Sequence, residues 1–200
     1  SCISCGQCIQ VCPTGALKEK SHLDLVGIVL RQKIKIPVAL VDPSVFVTLG
    51  EYYGYKPGRE FSSVLIHALK RTGFQKIYRT SWGIEYQAGK LADLLLNGDP
   101  VESRGPWLLS ECPSVVRYIS QSRPDLLSSL IPLKSGKEMM SQLLRRQISR
   151  QTGRPLSEIS IINMTSCTAA KNDTCTTLKL KEPGAFPDYS LTTREVYRLI

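Results

Sequence analysis

No apolar run in this 200-residue chain approaches the length that crosses a membrane. Residues 1–17 lack the basic start and long apolar centre of a secretory signal. There is no internal repeat and no low-complexity tract. Acidic residues are outnumbered, 17 Asp and Glu against 26 Lys and Arg, for a net charge of +9. That balance admits nucleic acid, anionic lipid or an acidic protein as partner. The densest basic patch, Arg145, Arg146, Arg150 and Arg154, has no aromatic residue interleaved with it. Base stacking therefore has no platform, and a nucleic-acid partner is not expected. The apolar fraction of 42% is ordinary, so the chain can bury one core, or one core plus a small module.

What the chain does hold is cysteine. It has seven, and four form the run Cys2-x-x-Cys5-x-x-Cys8-x-x-x-Cys12-Pro13. This is the spacing with which bacterial ferredoxins ligate a four-iron, four-sulfur (4Fe-4S) cubane. Soft thiolates suit iron. A curled loop places one sulfur at each corner, Gly6 lets the backbone close in, and Pro13 turns the chain away. A zinc knuckle and a disulfide framework are the alternatives. Zinc prefers separated CxxC pairs or mixed Cys and His, and disulfides across two residues are redox-active rather than structural. The metal ligands expected here are Cys2, Cys5, Cys8 and Cys12. In two-cluster proteins the fourth Cys of a run reaches the other cluster, so Cys12 either closes this cluster or serves a second one. The chain opens at Ser1 with a ligand at position 2, and it is expected to be a piece of a longer protein. The thiols point to a reducing compartment, the cytoplasm or an anaerobic cell interior. In that setting the basic patch reads either as a solvated helix face or as a docking surface for an acidic electron carrier.

Downstream, the pattern alternates. Ser21 is expected to cap a helix reaching about Lys33. Ile36–Val41 reads as a buried strand, and Asp42-Pro43 opens a helix. Phe61, Val64, Leu65, Ala68 and Leu69 share a helical face. Lys76–Thr80, Trp107–Ser110 and Ile159–Met164 read as strands. Helices are expected over Glu85–Leu96, from Ser135 or Gly136 with Met139, Met140, Leu143, Leu144 and Ile148 inward, and from Thr192 or Thr193 to the end. Gly98–Gly105 and Leu178–Asp188 read as loops. His67 and the residues Trp82, Trp107 and Tyr52–Tyr55 read as packing, and Cys175 has no assigned role. The predicted fold class is α/β, a mainly parallel sheet flanked by helices on both faces, with a small partial ferredoxin-like module at the N-terminus. Cys112 and Cys167 each follow a predicted strand, where open α/β sheets bind ligands. Either could equally be a small buried hydrophobe.

Several segments resemble the large subunit of iron-only (FeFe) hydrogenases. They include Cys8-Ile9-Gln10-Val11-Cys12-Pro13-Thr14-Gly15-Ala16-Leu17, Val41-Asp42-Pro43-Ser44-Val45, Leu69-Lys70-Arg71-Thr72-Gly73-Phe74, Ser110-Glu111-Cys112-Pro113, Cys167-Thr168-Ala169 and Leu191-Thr192-Thr193-Arg194-Glu195-Val196. Their order covers nearly the whole chain. The resemblance implies a cubane joined through a Cys to a two-iron carbonyl/cyanide unit. Cys112 and Cys167 fall on the cubane's first two ligands, and the other two would lie beyond Ile200. It also divides the chain into a partial 4Fe-4S module at 1–20, a connecting helix at 21–35, and a hydrogenase-like α/β domain at 36–200 that is incomplete at its C-terminus.

The chain departs from the family in the groups that move protons. Glu111 stands where the family has a proton-delivering Cys, and a carboxylate can also shuttle protons, though it is longer and costly to bury charged. Ala170 stands where a Lys binds cyanide, a loss of about 1.5–3 kcal/mol of charged hydrogen bonding. By the resemblance Asp173 keeps a carboxylate of the family's proton path, but the path's Ser aligns near Ile131, which cannot carry protons, and its paired Glu near Gln87 to Lys90, where no carboxylate remains. Glu111 and Asp173 are thus the candidate catalytic residues, and Cys112 and Cys167 the cofactor-binding ones. The implied function is reversible proton reduction to hydrogen, with electrons relayed through a 4Fe-4S cluster and exchanged with a ferredoxin-like acidic carrier or another redox subunit. The alternative is a redox relay or sensor that keeps its clusters but lacks hydrogenase activity. Assembly of cytosolic iron–sulfur proteins, served by eukaryotic relatives, ranks behind both because their N-terminal spacing differs.

Overall fold

A computed structural model describes residues 2–97, 106–131, 133–172 and 186–200. Its centre is a four-stranded, all-parallel sheet. The strands are β1 (Ile36–Val41), β2 (Lys76–Arg79), β5 (Ile159–Thr165) and β6 (Tyr189–Thr192), in the order β2-β1-β5-β6. Every residue of β1 and β5 is buried. Parallel strands covered on both faces need continuous apolar runs, which is why neither strand alternates. Side chains still alternate between faces. Ile36, Val38 and Leu40 pack with Ile159 and Ile161 against helix α7 (Gly136–Thr152) through Met140, Leu144 and Ile148. Ala39, Val41, Ile162 and Met164 face the opposite layer of α2 (Leu23–Gln32), α3 (Pro43–Tyr52), α4 (Ser62–Thr72) and α8 (Thr193–Leu199).

Two further pieces attach to this core. A one-turn helix, α1 (Gln7–Gln10), lies in the cysteine loop. The strands β3 (Leu108–Leu109) and β4 (Leu130–Ile131) form a separate parallel pair, with α6 (Pro113–Ser122) between them in sequence. Helix α5 (Ser81–Asn97) packs on α7. There the backbones of Gly83 and Gly136 touch, and a Cβ on Gly83 would lie 2.7 Å from the Gly136 carbonyl carbon.

The sheet order places the switch point between β1 and β5, because the chain leaves β1 toward β2 on one side and returns to β5 on the other. Crevices at such points bind ligands outside the carboxyl ends of the strands. Here those ends are Asp42-Pro43-Ser44 and Thr165-Ser166-Cys167, joined by a 3.0 Å hydrogen bond between the hydroxyls of Ser44 and Ser166.

The predicted α/β class holds, and several details change. Helix α2 starts at Leu23, whose N–H still reaches Ser21 Oγ at 3.2 Å. Helix α5 begins at Ser81 because the Thr80 carbonyl already accepts the N–H groups of Gly83 and Ile84. Strand β6 lies just after the span read as a loop to Asp188, and residues 98–105 and 178–185 of the two expected loops lie outside the described residues. Val64 and Leu143 are exposed rather than inward, at 46% and 56%. His67 is exposed too, and Trp82 is 75% exposed. The basic patch divides. Arg145 turns inward to Asp188 at 2.6 Å and Arg154 pairs with Glu158 at 2.7 Å, so these two do not stand free on a docking face.

Candidate iron–sulfur site

The cysteine loop owes its shape to two left-handed residues. Ser4 takes φ 61 and Gly6 φ 82, and the Gly6 carbonyl then accepts the N–H groups of Ile9 and Gln10 at 3.0 and 3.3 Å. The short helix this starts carries Cys8. After Cys12 the carbonyl of that residue accepts the Gly15 N–H at 3.2 Å, with Gly15 at φ 63. Cys2, Cys5 and Cys8 are exposed and Cys12 is half-buried.

The local field favours thiolate at both ends of the run. The Cys12 thiol is drawn down to about 7, mainly by the Leu17 backbone N–H, then by the Thr14 hydroxyl and the N–H groups of Ala16 and Thr14. Cys2 is lowered by the Ser4 N–H first, then by the Ser4 hydroxyl and the Arg117 charge. Hydrogen bonds to the charged form favour ionisation, and thiolate is the form that binds metal. Among the described residues no three His, Cys, Asp or Glu side chains converge on the space of a single ion. A cubane is a larger object than one ion, and four accessible sulfurs on a curled loop with N–H donors beside them are the donor set it requires.

Cys112 and Cys167 are both exposed free thiols. Cys112 is the residue before α6, with Pro113 at the helix start. The turn it occupies is pinned by Ser110, whose hydroxyl donates to the carbonyls of Ile131 and Leu133 at 3.0 Å each. Its strand is β3 of the small pair, not a strand of the main sheet. Cys167 follows β5 at the switch point, its N–H held by Thr165 Oγ1 at 3.2 Å. Next comes a 3-10 turn, Thr168–Asn172, which packs against α6. That turn also meets the cysteine loop, because a Cβ on Gly6 would overlap the Thr168 hydroxyl. From α6, Arg117 Nη1 donates to Ser4 Oγ at 2.9 Å. The segments that follow the two inner cysteines therefore touch each other, and both touch the N-terminal loop.

Glu111 is exposed and accepts a short hydrogen bond from Gln87 Nε2. Gln87 Oε1 in turn accepts the Gly136 N–H at the start of α7, at 3.2 Å. Asp173, the other candidate catalytic residue, and Cys175 lie outside the described residues. Ala170 is 4% exposed and Ile131 is likewise buried.

One buried network was not visible in the sequence. Lys171 Nζ meets Glu195 Oε2 at 2.5 Å, with the two side chains 6% and 4% exposed. Lys171 also donates to the Lys20 carbonyl at 2.9 Å. Glu195 accepts the His22 N–H at 2.9 Å and the Thr192 N–H at 2.8 Å. This ties the connector after the cysteine loop to the turn after Cys167. The Thr192-x-x-Glu195 capping box was a readable signal for half of it, whereas nothing local points from Glu195 to Lys171.

Residues 35–200 match the family described as iron only hydrogenase large subunit, C-terminal domain, and residues 1–18 match the 4Fe-4S binding domain. The chain belongs to the iron-only hydrogenase family. Its hydrogenase-like domain is thus preceded by a 4Fe-4S binding segment, and the cofactor of that segment is a 4Fe-4S cluster. The chain is 29% identical to the NADP-reducing hydrogenase subunit HndD of Solidesulfovibrio fructosivorans, over 100% of its own length and 35% of that protein. It is 29% identical to iron hydrogenase 1 of Clostridium pasteurianum, over 94% of its length and 33% of that protein. It is also 25% identical to the cytosolic Fe-S cluster assembly factor NAR1 of Scheffersomyces stipitis, over 100% of its length and 38% of that protein. The family chain thus spans about a third of the length of these relatives. Its fold is that of the apo FeFe-hydrogenase HydA1 from Chlamydomonas reinhardtii, with TM-score 0.70 and 22% identity over 90% of this chain and 47% of that one.

Proposed function

We propose that this chain is the electron-handling part of a hydrogenase-family protein and that it relays electrons without turning over hydrogen. Residues 1–20 act as the cluster module, with Cys2, Cys5, Cys8 and Cys12 as ligands. Residues 21–35 connect it to the α/β domain at 36–200, where Cys112 and Cys167 supply thiolates to an inner site. When bound, a 4Fe-4S cluster supplies reversible one-electron exchange. The protein's part is to hold the sulfurs, donate N–H groups to them and keep the two sites in contact.

The observation that carries the relay is the seating of the cysteine loop. Gly6 lies against Thr168, next to Cys167, and Ser4 is bonded to Arg117 on the helix that follows Cys112. Electron transfer favours short separation, and these contacts, which seat the loop against the segments that follow Cys167 and Cys112, support the relay. The loss of proton handling supports the second half of the proposal. At position 170 the methyl of Ala170 is buried where a charged donor would be needed, and Ile131 offers no proton. A carrier of acidic surface suits the charge of +9. Among the described residues no helix is long and apolar enough to cross a membrane, and a reducing compartment such as the cytoplasm suits the free thiols.

One observation favours a second reading. Glu111 takes the place of the proton-delivering Cys and is held in position by Gln87. With a two-iron carbonyl/cyanide unit at the inner site, that carboxylate would hold and pass the proton, and the protein would reduce protons to hydrogen.

The two are separated by infrared and EPR spectroscopy on anaerobically matured protein. An EPR signal of reduced 4Fe-4S clusters, without carbonyl or cyanide bands and without hydrogen evolution, is the expected result. Carbonyl and cyanide bands together with hydrogen evolution that Glu111→Gln abolishes would overturn the relay and establish the second reading.

A further inference from the structure

Arg117 lies on α6, five residues after Cys112, yet its guanidinium is engaged outside that helix. It donates to Ser4 Oγ at 2.9 Å across 113 residues of sequence. Ser4 sits between Cys2 and Cys5 at φ 61, a region that residues other than Gly rarely take. In this conformation its N–H donates to Cys2 Sγ at 3.3 Å, and its hydroxyl lies 4.0 Å from the same sulfur. The hydroxyl oxygen is occupied by Arg117, so its own proton is free to turn to Cys2 Sγ. Two donors of Ser4 thus face one sulfur, and the Arg117 cation stands one hydrogen bond behind them.

We infer that Arg117 is a positioning residue that couples the helix of Cys112 to the N-terminal cluster and raises the reduction potential of that cluster. This rests on the proposal that Cys2 is a cluster ligand. Reduction adds a negative charge to the cluster. Hydrogen bonds to its sulfurs and a nearby positive charge stabilise the reduced form more than the oxidised one, and net charge and such hydrogen bonds set the potential. Arg117 supplies the charge, and through Ser4 it fixes the geometry of both donors. Because the same side chain anchors the loop on α6, the potential of the outer cluster is tied to the position of the helix that follows the inner cysteine Cys112.

The test is an EPR-monitored redox titration of the anaerobically reconstituted full chain, with iron content measured on each sample. Arg117→Gln is expected to keep its iron and shift the midpoint of the N-terminal cluster to more negative potential. Ser4→Ala is expected to shift it in the same direction. The double variant should shift it by less than the sum, because one residue acts through the other. Arg117→Lys should recover part of the shift, since it restores charge without the planar fork. A midpoint unchanged in both single variants with the cluster intact would overturn the inference. If Arg117→Gln loses the cluster, Ser4→Ala decides it alone. A wild-type chain that takes up no iron and no sulfide at all would overturn the ligand proposal beneath it, which is a different and recognisable failure.

Discussion

Glu195 shows how one side chain can join two parts of the chain. Burial by itself pushes its carboxyl up, but the Lys171 ammonium and the N–H groups of Thr192 and His22 outweigh that and hold it below the usual carboxylate value. His22 is also lowered, by burial first and then by the Lys171 charge. Both folded values lie below the unfolded ones, so both contributions are fully present above the unfolded values and are lost as the pH falls. For His22 the loss begins below the ordinary 6.5, and for Glu195 below the ordinary 4.5. Acid titration followed by circular dichroism is therefore expected to show stability declining in two stages, with His22→Gln removing the upper one. Glu195→Gln leaves the Lys171 ammonium buried without its counter-charge, and removing one partner of such a pair costs about 3–5 kcal/mol. Urea unfolding of that variant should show the loss, and the connector at 19–22 should become open to protease before the sheet does.

At the scale of elements, the close approach of α5 and α7 depends on two glycines. Gly83→Ala places a Cβ into the Gly136 backbone, which is not a flexible side chain that can move aside. Overpacking of this kind costs about 1–3 kcal/mol, readable as a lower urea midpoint. The displacement would be felt at Gln87, which lies on α5 and bonds both Gly136 and Glu111. The N-terminus of α7 is a second test. Ser135 accepts the Glu138 N–H at 3.4 Å while Glu138 accepts the Ser135 N–H at 2.8 Å. Ser135→Ala should cost about 1 kcal/mol, the usual worth of such a cap. The helix start at Ser135 or Gly136 was legible from the sequence, and the reciprocal bonds of Ser135 and Glu138 show the local pattern behind it. The helix face was only half legible. Met140, Leu144 and Ile148 point inward as their spacing implies, but Leu143 is exposed and Arg145 takes an inward place because Asp188 and the Ile159 carbonyl are there to receive it.

For the whole molecule, the cysteine loop and the sheet should respond differently to iron. The sheet is held by apolar cores on both faces. The loop at residues 2–12 has three of its four cysteines exposed and buries only Gly6. Metal binding contributes folding free energy where a preformed core is lacking. Stripping iron and sulfide from the reconstituted chain is therefore expected to accelerate hydrogen exchange at residues 2–18, while amides of β1 and β5 keep their protection. Uniform acceleration across the sheet would show that the cluster supports the whole domain.

The spacing of Cys2, Cys5, Cys8 and Cys12, the apolar runs of β1 and β5 and the caps of α7 and α8 were determined by the sequence itself, because each is decided by residues within a few positions of one another. The order β2-β1-β5-β6, the switch point that presents Cys167, the bond from Arg117 to Ser4 and the burial of Lys171 against Glu195 were decided only by the tertiary structure. These pair groups far apart along the chain, and such pairs leave no periodic or spacing signal. They form because folding the hydrophobic sheet brings them together, and a buried charge or donor must then find whatever partner the packing has placed beside it.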